Sequence, residues 1–180
     1  MFRDAVGAGT FAGVIDSFRF LPRSFAPLYD NPTPLPGEEG DVWAPLAPRL
    51  AQARIALLTS AGLYLEGDQE PFDSERERRE PTWGDPTHRV LPASVAGRGL
   101  GMSHLHVNPD DVLADPEIAL PLEGLSALVA EGRVGAVAPS HYSVMGYQEA
   151  GLAGWREQTA PAIISALRDE AVDGMVLAPV

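Results

Sequence analysis

Between Arg54 and Val180 the chain alternates short, nearly uncharged apolar runs with segments of helical period, and that alternation leaves few folds open. Ile55-Ala56-Leu57-Leu58-Thr59 has the composition of a strand buried on both faces, which has no solvent side on which to place polar residues. Pro121 to Glu131 sets Leu122, Leu125, Leu128 and Val129 on one helical face, with a proline suited to the first turn and Gly132 as the stop. Arg133 to Ala138 reads as a second strand. Thr159 to Ala171 reads as a second helix, with Pro161 near its start and Ile163, Ile164 and Leu167 facing inward. Val172 to Val180 supplies a third apolar strand. Strand, helix, strand, helix, strand is the order that builds a parallel sheet, and such sheets take ligands at the carboxyl ends of their strands. A site is therefore expected in the loops after the strands, Thr59–Tyr64 and Pro139–Tyr147.

The fold class expected for residues 51–180 is α/β: a three-layer, Rossmann-like domain with a mainly parallel sheet. Residues 1–50 read differently. Pro22, Pro27, Pro32, Pro34, Pro36, Pro45 and Pro48 interrupt them too often for a long helix, so they form a proline-rich irregular arm. Phe18, Phe20, Leu21, Phe25, Leu28 and Tyr29 give that arm anchors to lay over the domain or over a partner subunit. Asp68 to Pro86 is polar and reads as a solvated loop or short helix, and Arg89-Val90-Leu91-Pro92 reads as an edge strand. Gly97-Arg98-Gly99-Leu100-Gly101 lacks the strand-to-helix setting of a nucleotide-binding loop.

With 180 residues the chain holds one sizeable core. Its net charge of −12 argues against nucleic acid or an anionic membrane as partner. No apolar run approaches the ~20 residues needed to span a bilayer. The Gly7, Gly9 and Gly13 region lacks the basic cluster and small-residue cleavage site of a secretion signal, so a cytoplasmic location is expected. The chain has no cysteine, and all 13 of its basic residues are arginine. It can supply neither a thiolate nor a Schiff-base lysine of its own.

Three of the four histidines fall in two polar clusters, Ser103-His104-Leu105-His106-Val107-Asn108-Pro109-Asp110-Asp111 and Ser140-His141-Tyr142-Ser143. Such grouping favours a shared site. His141 and Tyr142 are candidates for acid–base or substrate-orienting roles, because an imidazole titrates near neutrality. A buried histidine tying its segment together is the alternative reading. His104 and His106 are separated by one residue, which in an extended segment sets both rings on one face. With His141 they form a candidate set for a divalent metal, zinc or iron, and hydrogen bonding to loop carbonyls is the competing reading. Thr59, Ser60 and Gly62 can offer backbone N–H groups to a carboxylate or other anion. Ser143 is not flanked as a nucleophilic serine would be. Asn108-Pro109 has the pattern of a helix cap.

Taken in order, Arg54–Leu63, Glu70-Pro71-Phe72, Ser103-His104, Ala119-Leu120-Pro121-Leu122, Glu131–Gly135, His141–Tyr147 and Val172–Val180 resemble the B-subunit (selenoprotein B) family of glycine, sarcosine, betaine and D-proline reductases. The likeness spans roughly residues 50–180. It implies a substrate-binding component of a complex that cleaves a C–N bond of a small amino acid or amine reductively, using a thiol or selenol. It implicates Thr59, Ser60 and Gly62, then Ser103, His104 and His106, then His141 and Tyr142. In the family the strand matching Val172–Val180 leads to a segment bearing cysteine or selenocysteine. The chain ends at that strand, so the expectation is that a Cys- or Sec-bearing partner chain, or a missing segment, completes the site. Homo-oligomerisation, a metal-dependent or non-catalytic small-molecule-binding protein, and a purely structural subunit are the other readings.

Overall fold

A computed structural model describes residues 44–80, 83–95, 99–105, 107–148 and 152–180. Residues 45–180 form one compact unit. Most of the expected proline-rich arm, as well as Gly97, Arg98 and His106, lies outside the described residues.

Among the described residues seven strands occur in chain order: β1 (Arg54–Thr59), β2 (Leu63–Leu65), β3 (His88–Pro92), β4 (Leu100–Met102), β5 (Ala136–Val137), β6 (Ser140–Val144) and β7 (Gly174–Ala178). The α-helices of six or more residues among the described residues are α1 (Ser74–Arg79), α2 (Pro109–Ala114), α3 (Leu122–Ala130) and α4 (Ala160–Asp169). Strand β1 is central. It pairs in parallel with β7 along Ile55–Thr59, and with β5 and then β6 on its other side. Strand β3 closes that side antiparallel to β6, while β2 and β4 form a separate antiparallel ribbon. The mainly parallel α/β sheet expected from the alternating runs is the one observed.

Strand alternation gives the sheet two differently covered faces. Ile55 and Leu57 of β1 and Leu91 of β3 pack with Leu122 and Leu125 of α3 in the larger core. Leu58 of β1 with Tyr142 and Val144 of β6 packs against Ile163 and Leu167 of α4. The two helices therefore cover opposite faces, giving three layers. A π-helical turn, Trp155–Thr159, leads into α4, and Trp155 packs beside Tyr142.

One expectation is corrected. Pro139–Tyr147 is not a loop after a strand: most of it is strand β6 itself, seated between β1 and β3. The reason is a ladder broken and resumed. Ile55 pairs with Val137 and Leu58 with Tyr142, so three steps on β1 face five on the neighbouring segment. Pro139, which has no N–H to give, sits in that excess. The break resembles a strand end in sequence, yet pairing continues beyond it. Leu63 and Tyr64, expected in a turn, likewise belong to a strand, β2.

Candidate functional site

The interruption leaves the Leu57 N–H in mid-sheet without a strand carbonyl opposite, and the His141 side chain takes that place. Leu57 N donates to His141 Nδ1 at 3.0 Å. His141 is 0% exposed. An imidazole nitrogen that accepts from an amide carries no proton, so the neutral ring bears its proton on Nε2. Burial lowers the His141 pKa to about 4, against the opposing influence of Glu170 and the Ala138 carbonyl. At neutral pH His141 is therefore an uncharged hydrogen-bonding group. Its Nε2, the Tyr142 hydroxyl and Ser143 Oγ are buried and find no hydrogen-bond partner among the described residues. Tyr142 points to the other face, 6.0 Å from the His88 ring centre to centre, and burial raises its pKa, with Glu170 acting in the same direction.

The strand ends converge beyond this point. Thr59 Oγ1 accepts from Ala61 N at 3.2 Å, which turns the chain sharply at the end of β1. Ser60 Oγ accepts from Val180 N at 2.9 Å and is committed to the terminus of the β7 segment. Ala61 forms an isolated bridge with Met145, and Gly62 N donates to the Val144 carbonyl at 3.0 Å. Ser103 N donates to the Gly62 carbonyl at 2.9 Å. The three segments singled out in the sequence, after β1, after β4 and at the end of β6, thus meet around Gly62. That glycine has φ +66°, and a Cβ placed on it would lie 2.6 Å from Met145 Sδ and 2.7 Å from the Ser103 carbonyl oxygen.

A cavity of about 240 Å³ opens at this junction, lined by Glu77, Arg78, Trp83, His104, Leu105, Met145 and Tyr147. Its outer wall is α1 and the segment after it. Asp73 caps α1 by accepting from Arg76 N at 2.9 Å. The buried Asp85 carboxylate accepts from Asp73 N at 3.0 Å and from Thr87 N at 2.9 Å, tying the start of α1 to the approach to β3. Gln148 Nε2 donates to the carbonyls of Asp85 and Met145, at 2.8 and 3.0 Å. Gly84 passes so close to Tyr147 that no side chain fits between them. Arg76 stacks over Trp83, 4.2 Å from the ring centre. Glu77 is 9% exposed although it belongs to a run of six charged residues, Glu75–Glu80.

Of the residues expected at the site, His104 lines the cavity, while Gly62 and Ser103 hold its frame. Thr59 and Ser60 are engaged in the turn after β1. His141 and Tyr142 lie in the sheet, and neither lines the cavity. Among the described residues no group of three or more His, Asp or Glu is placed to hold a metal ion, and His106 falls outside them. A metal held jointly by His104, His106 and His141 would have to take His141 through Nε2, since Nδ1 is engaged. Tyr147 closes the segment Pro139–Tyr147 in which a site was expected, whereas Glu77, Arg78 and Trp83 were not anticipated. The usable signal was a tryptophan followed by Gly84 and Asp85 soon after a charged run, which a merely solvated loop does not require.

No family model matches the chain. It is similar to D-proline reductase subunit gamma of Acetoanaerobium sticklandii, 29% identical over 136 residues. Those residues are 76% of this chain and 52% of that protein, so the chain spans about half the length of the relative it matches. No solved structure matches. The similarity supports a distant relation to the proline and glycine reductases, in line with the ordered motifs, but at this identity it does not reach the assignment to the B-subunit type. Among the described residues no helix is long and apolar enough to cross a membrane.

Proposed function

We propose that the chain is the small-molecule-binding component of a reductase complex, and that a small amino acid or amine lies in the cavity between α1 and the ends of β4 and β6. The observation that carries this reading is the cavity lining: a cation, Arg78, and a buried acid, Glu77, on one wall, with Trp83, Tyr147 and Met145 around them. Arg78 suits a carboxylate, because a guanidinium offers paired donors. Glu77 suits an ammonium, and the aromatic rings suit the carbon skeleton and the face of a cation. At about 240 Å³ the space falls below the roughly 300–1,000 Å³ typical of drug-sized ligands, which favours a compact substrate. The relation to a D-proline reductase subunit supports the same class.

In this reading the chain binds and orients. The reductive cleavage of the C–N bond needs a thiol or selenol, and this sequence has no cysteine, so that group comes from outside these 180 residues, on a partner polypeptide or on a further segment. Neutral His141 does not act as a cationic acid at pH 7; it holds β1 and β6 in register so that the loops beyond both strands meet. His104, at the cavity wall, is the nearer candidate for hydrogen bonding to the substrate nitrogen.

Titration calorimetry of the full chain with D-proline, L-proline and glycine tests the reading. Binding of at least one of them is expected, weakened about tenfold or more by Arg78→Ala, since hydrogen bonds to charged groups contribute about 1.5–3 kcal/mol. No binding of any of them, or unchanged binding in Arg78→Ala, would count against it.

A further inference from the structure

Two walls of the cavity come from distant parts of the chain, and the side chain of Gln148 bridges them. Glu77, Arg78 and Trp83 form the outer wall, Met145 and Tyr147 the inner one. Gln148 follows directly on the inner wall. Its amide nitrogen donates to the Met145 carbonyl at 3.0 Å and, across the junction, to the Asp85 carbonyl at 2.8 Å. A primary amide nitrogen has two hydrogens, so both are committed to this bridge. Gln148 Oε1 is buried and has no hydrogen-bond partner among the described residues, so the amide is held here by its nitrogen. An ionised glutamate at this position would have no hydrogen to give to either carbonyl.

Asp85 passes the constraint on to the rest of the outer wall. Its buried carboxylate accepts from Asp73 N at 3.0 Å, at the cap of α1, so a shift of Asp85 moves the helix that carries Glu77 and Arg78. Trp83 stands two residues before Asp85, and its N–H donates to the Glu80 carbonyl at 2.8 Å. Between them Gly84 brings the two backbones together at Tyr147, where any side chain would strike the Tyr147 carbonyl. Hydrogen-bond lengths and backbone contact therefore set the spacing of the walls, and these yield less than side-chain packing does. We propose that Gln148 is a specificity-determining positioning residue: it fixes the width of the cavity and so the largest ligand that enters. This role rests on the cavity being the ligand site proposed above. With the walls held, a ligand one methylene too large must displace one of them, and a single methylene changes selectivity about 10–200-fold in a pocket that cannot give. Once the bridge is cut the outer wall can retreat, and discrimination by size falls.

Gln148→Met keeps the length of the side chain and removes both donors. Calorimetry of the full chain with D-proline and with pipecolate, its six-membered-ring homologue, is expected to show the parent favouring D-proline about tenfold or more, and Gln148→Met favouring it by less than about threefold. A ratio that is unchanged in the variant overturns the proposal, even where both affinities fall. Deuterium exchange of backbone amides gives a reading that needs no ligand. The amides of Arg76, Glu77 and Glu80 in and after α1 are expected to exchange about tenfold faster in Gln148→Met, while those of Leu57 and Ala138 in the sheet are unchanged. Equal acceleration in both places would show a general loss of stability, and no acceleration at α1 would show that Gln148 does not hold the wall. Either result overturns the proposal. A parent that binds neither ligand overturns the cavity reading and the specificity role with it, while the exchange result still decides whether Gln148 holds the walls. If Gln148→Met fails to fold by circular dichroism, the parent decides. Its Gln148 side-chain amide protons are expected to exchange as slowly as the α1 backbone, and exchange at the rate of a solvent-exposed amide would overturn the bridge.

Discussion

Gly62→Ala is expected to lose about 3 kcal/mol of stability and to abolish ligand binding in the cavity. Two costs combine. An alanine held at φ +66° pays about 1–2 kcal/mol for the left-handed conformation. Its methyl would also stand 2.7 Å from the Ser103 carbonyl oxygen and 2.6 Å from Met145 Sδ. The methionine can swing aside, but the carbonyl belongs to backbone that Gly62 itself fixes through the Ser103 N–H bond, and overpacking of this kind costs about 1–3 kcal/mol. Relief requires the segments after β1, β4 and β6 to separate, which moves His104 and Met145 out of the cavity wall. Chemical denaturation followed by titration of the folded fraction measures both effects. A variant that binds as tightly as the parent would show that the three segments do not need to meet for the site to work.

His141→Ala should cost a similar amount, about 3 kcal/mol, by a different route. It removes a fully buried ring and leaves the Leu57 N–H unpaired in mid-sheet, and an unsatisfied buried donor alone costs about 1–3 kcal/mol. His141→Asn keeps an acceptor and should lose less. The histidine also sets part of the pH dependence. Its folded pKa of about 4 lies below the roughly 6.5 of an unfolded chain, so between these values the unfolded state binds the extra proton. The contribution is complete above pH 6.5 and is lost as pH falls through that window towards 4, in total on the order of 3 kcal/mol. His88, whose pKa burial and then Arg89 also lower, adds to the same trend. Denaturation midpoints between pH 4 and 7 should fall steeply for the parent and more gently for both His141 variants. Parallel curves would mean that His141 is not buried neutral.

The strands that could be read in the sequence were those whose apolar runs are uninterrupted. Ile55–Thr59 has no way to satisfy its side chains except between two covered faces, the segment ending at Val180 is an equally uninterrupted apolar run although Val176 and Leu177 stay exposed in the structure, and α3 and α4 show their periodicity openly. Strand β6 was missed because Pro139 and a polar Ser-His-Tyr-Ser run look like a loop, when a histidine side chain was substituting for a backbone partner. That substitution is a contact 84 residues apart in sequence, and no local pattern reports it. The same holds for the cavity. The three segments that meet at Gly62 were recognisable from their small and polar residues at strand ends. The outer wall was not, because α1 is six residues long and its burial of Glu77 depends on Asp85 anchoring both its start and the approach to β3.

A crystal structure of the full chain grown with D-proline tests the central claim most directly. Ligand density is expected in the cavity, with its carboxylate on Arg78, its nitrogen towards Glu77 or His104, and its ring between Trp83 and Tyr147. Density at another place on the sheet, or an empty cavity at ligand concentrations that saturate binding in solution, would contradict it.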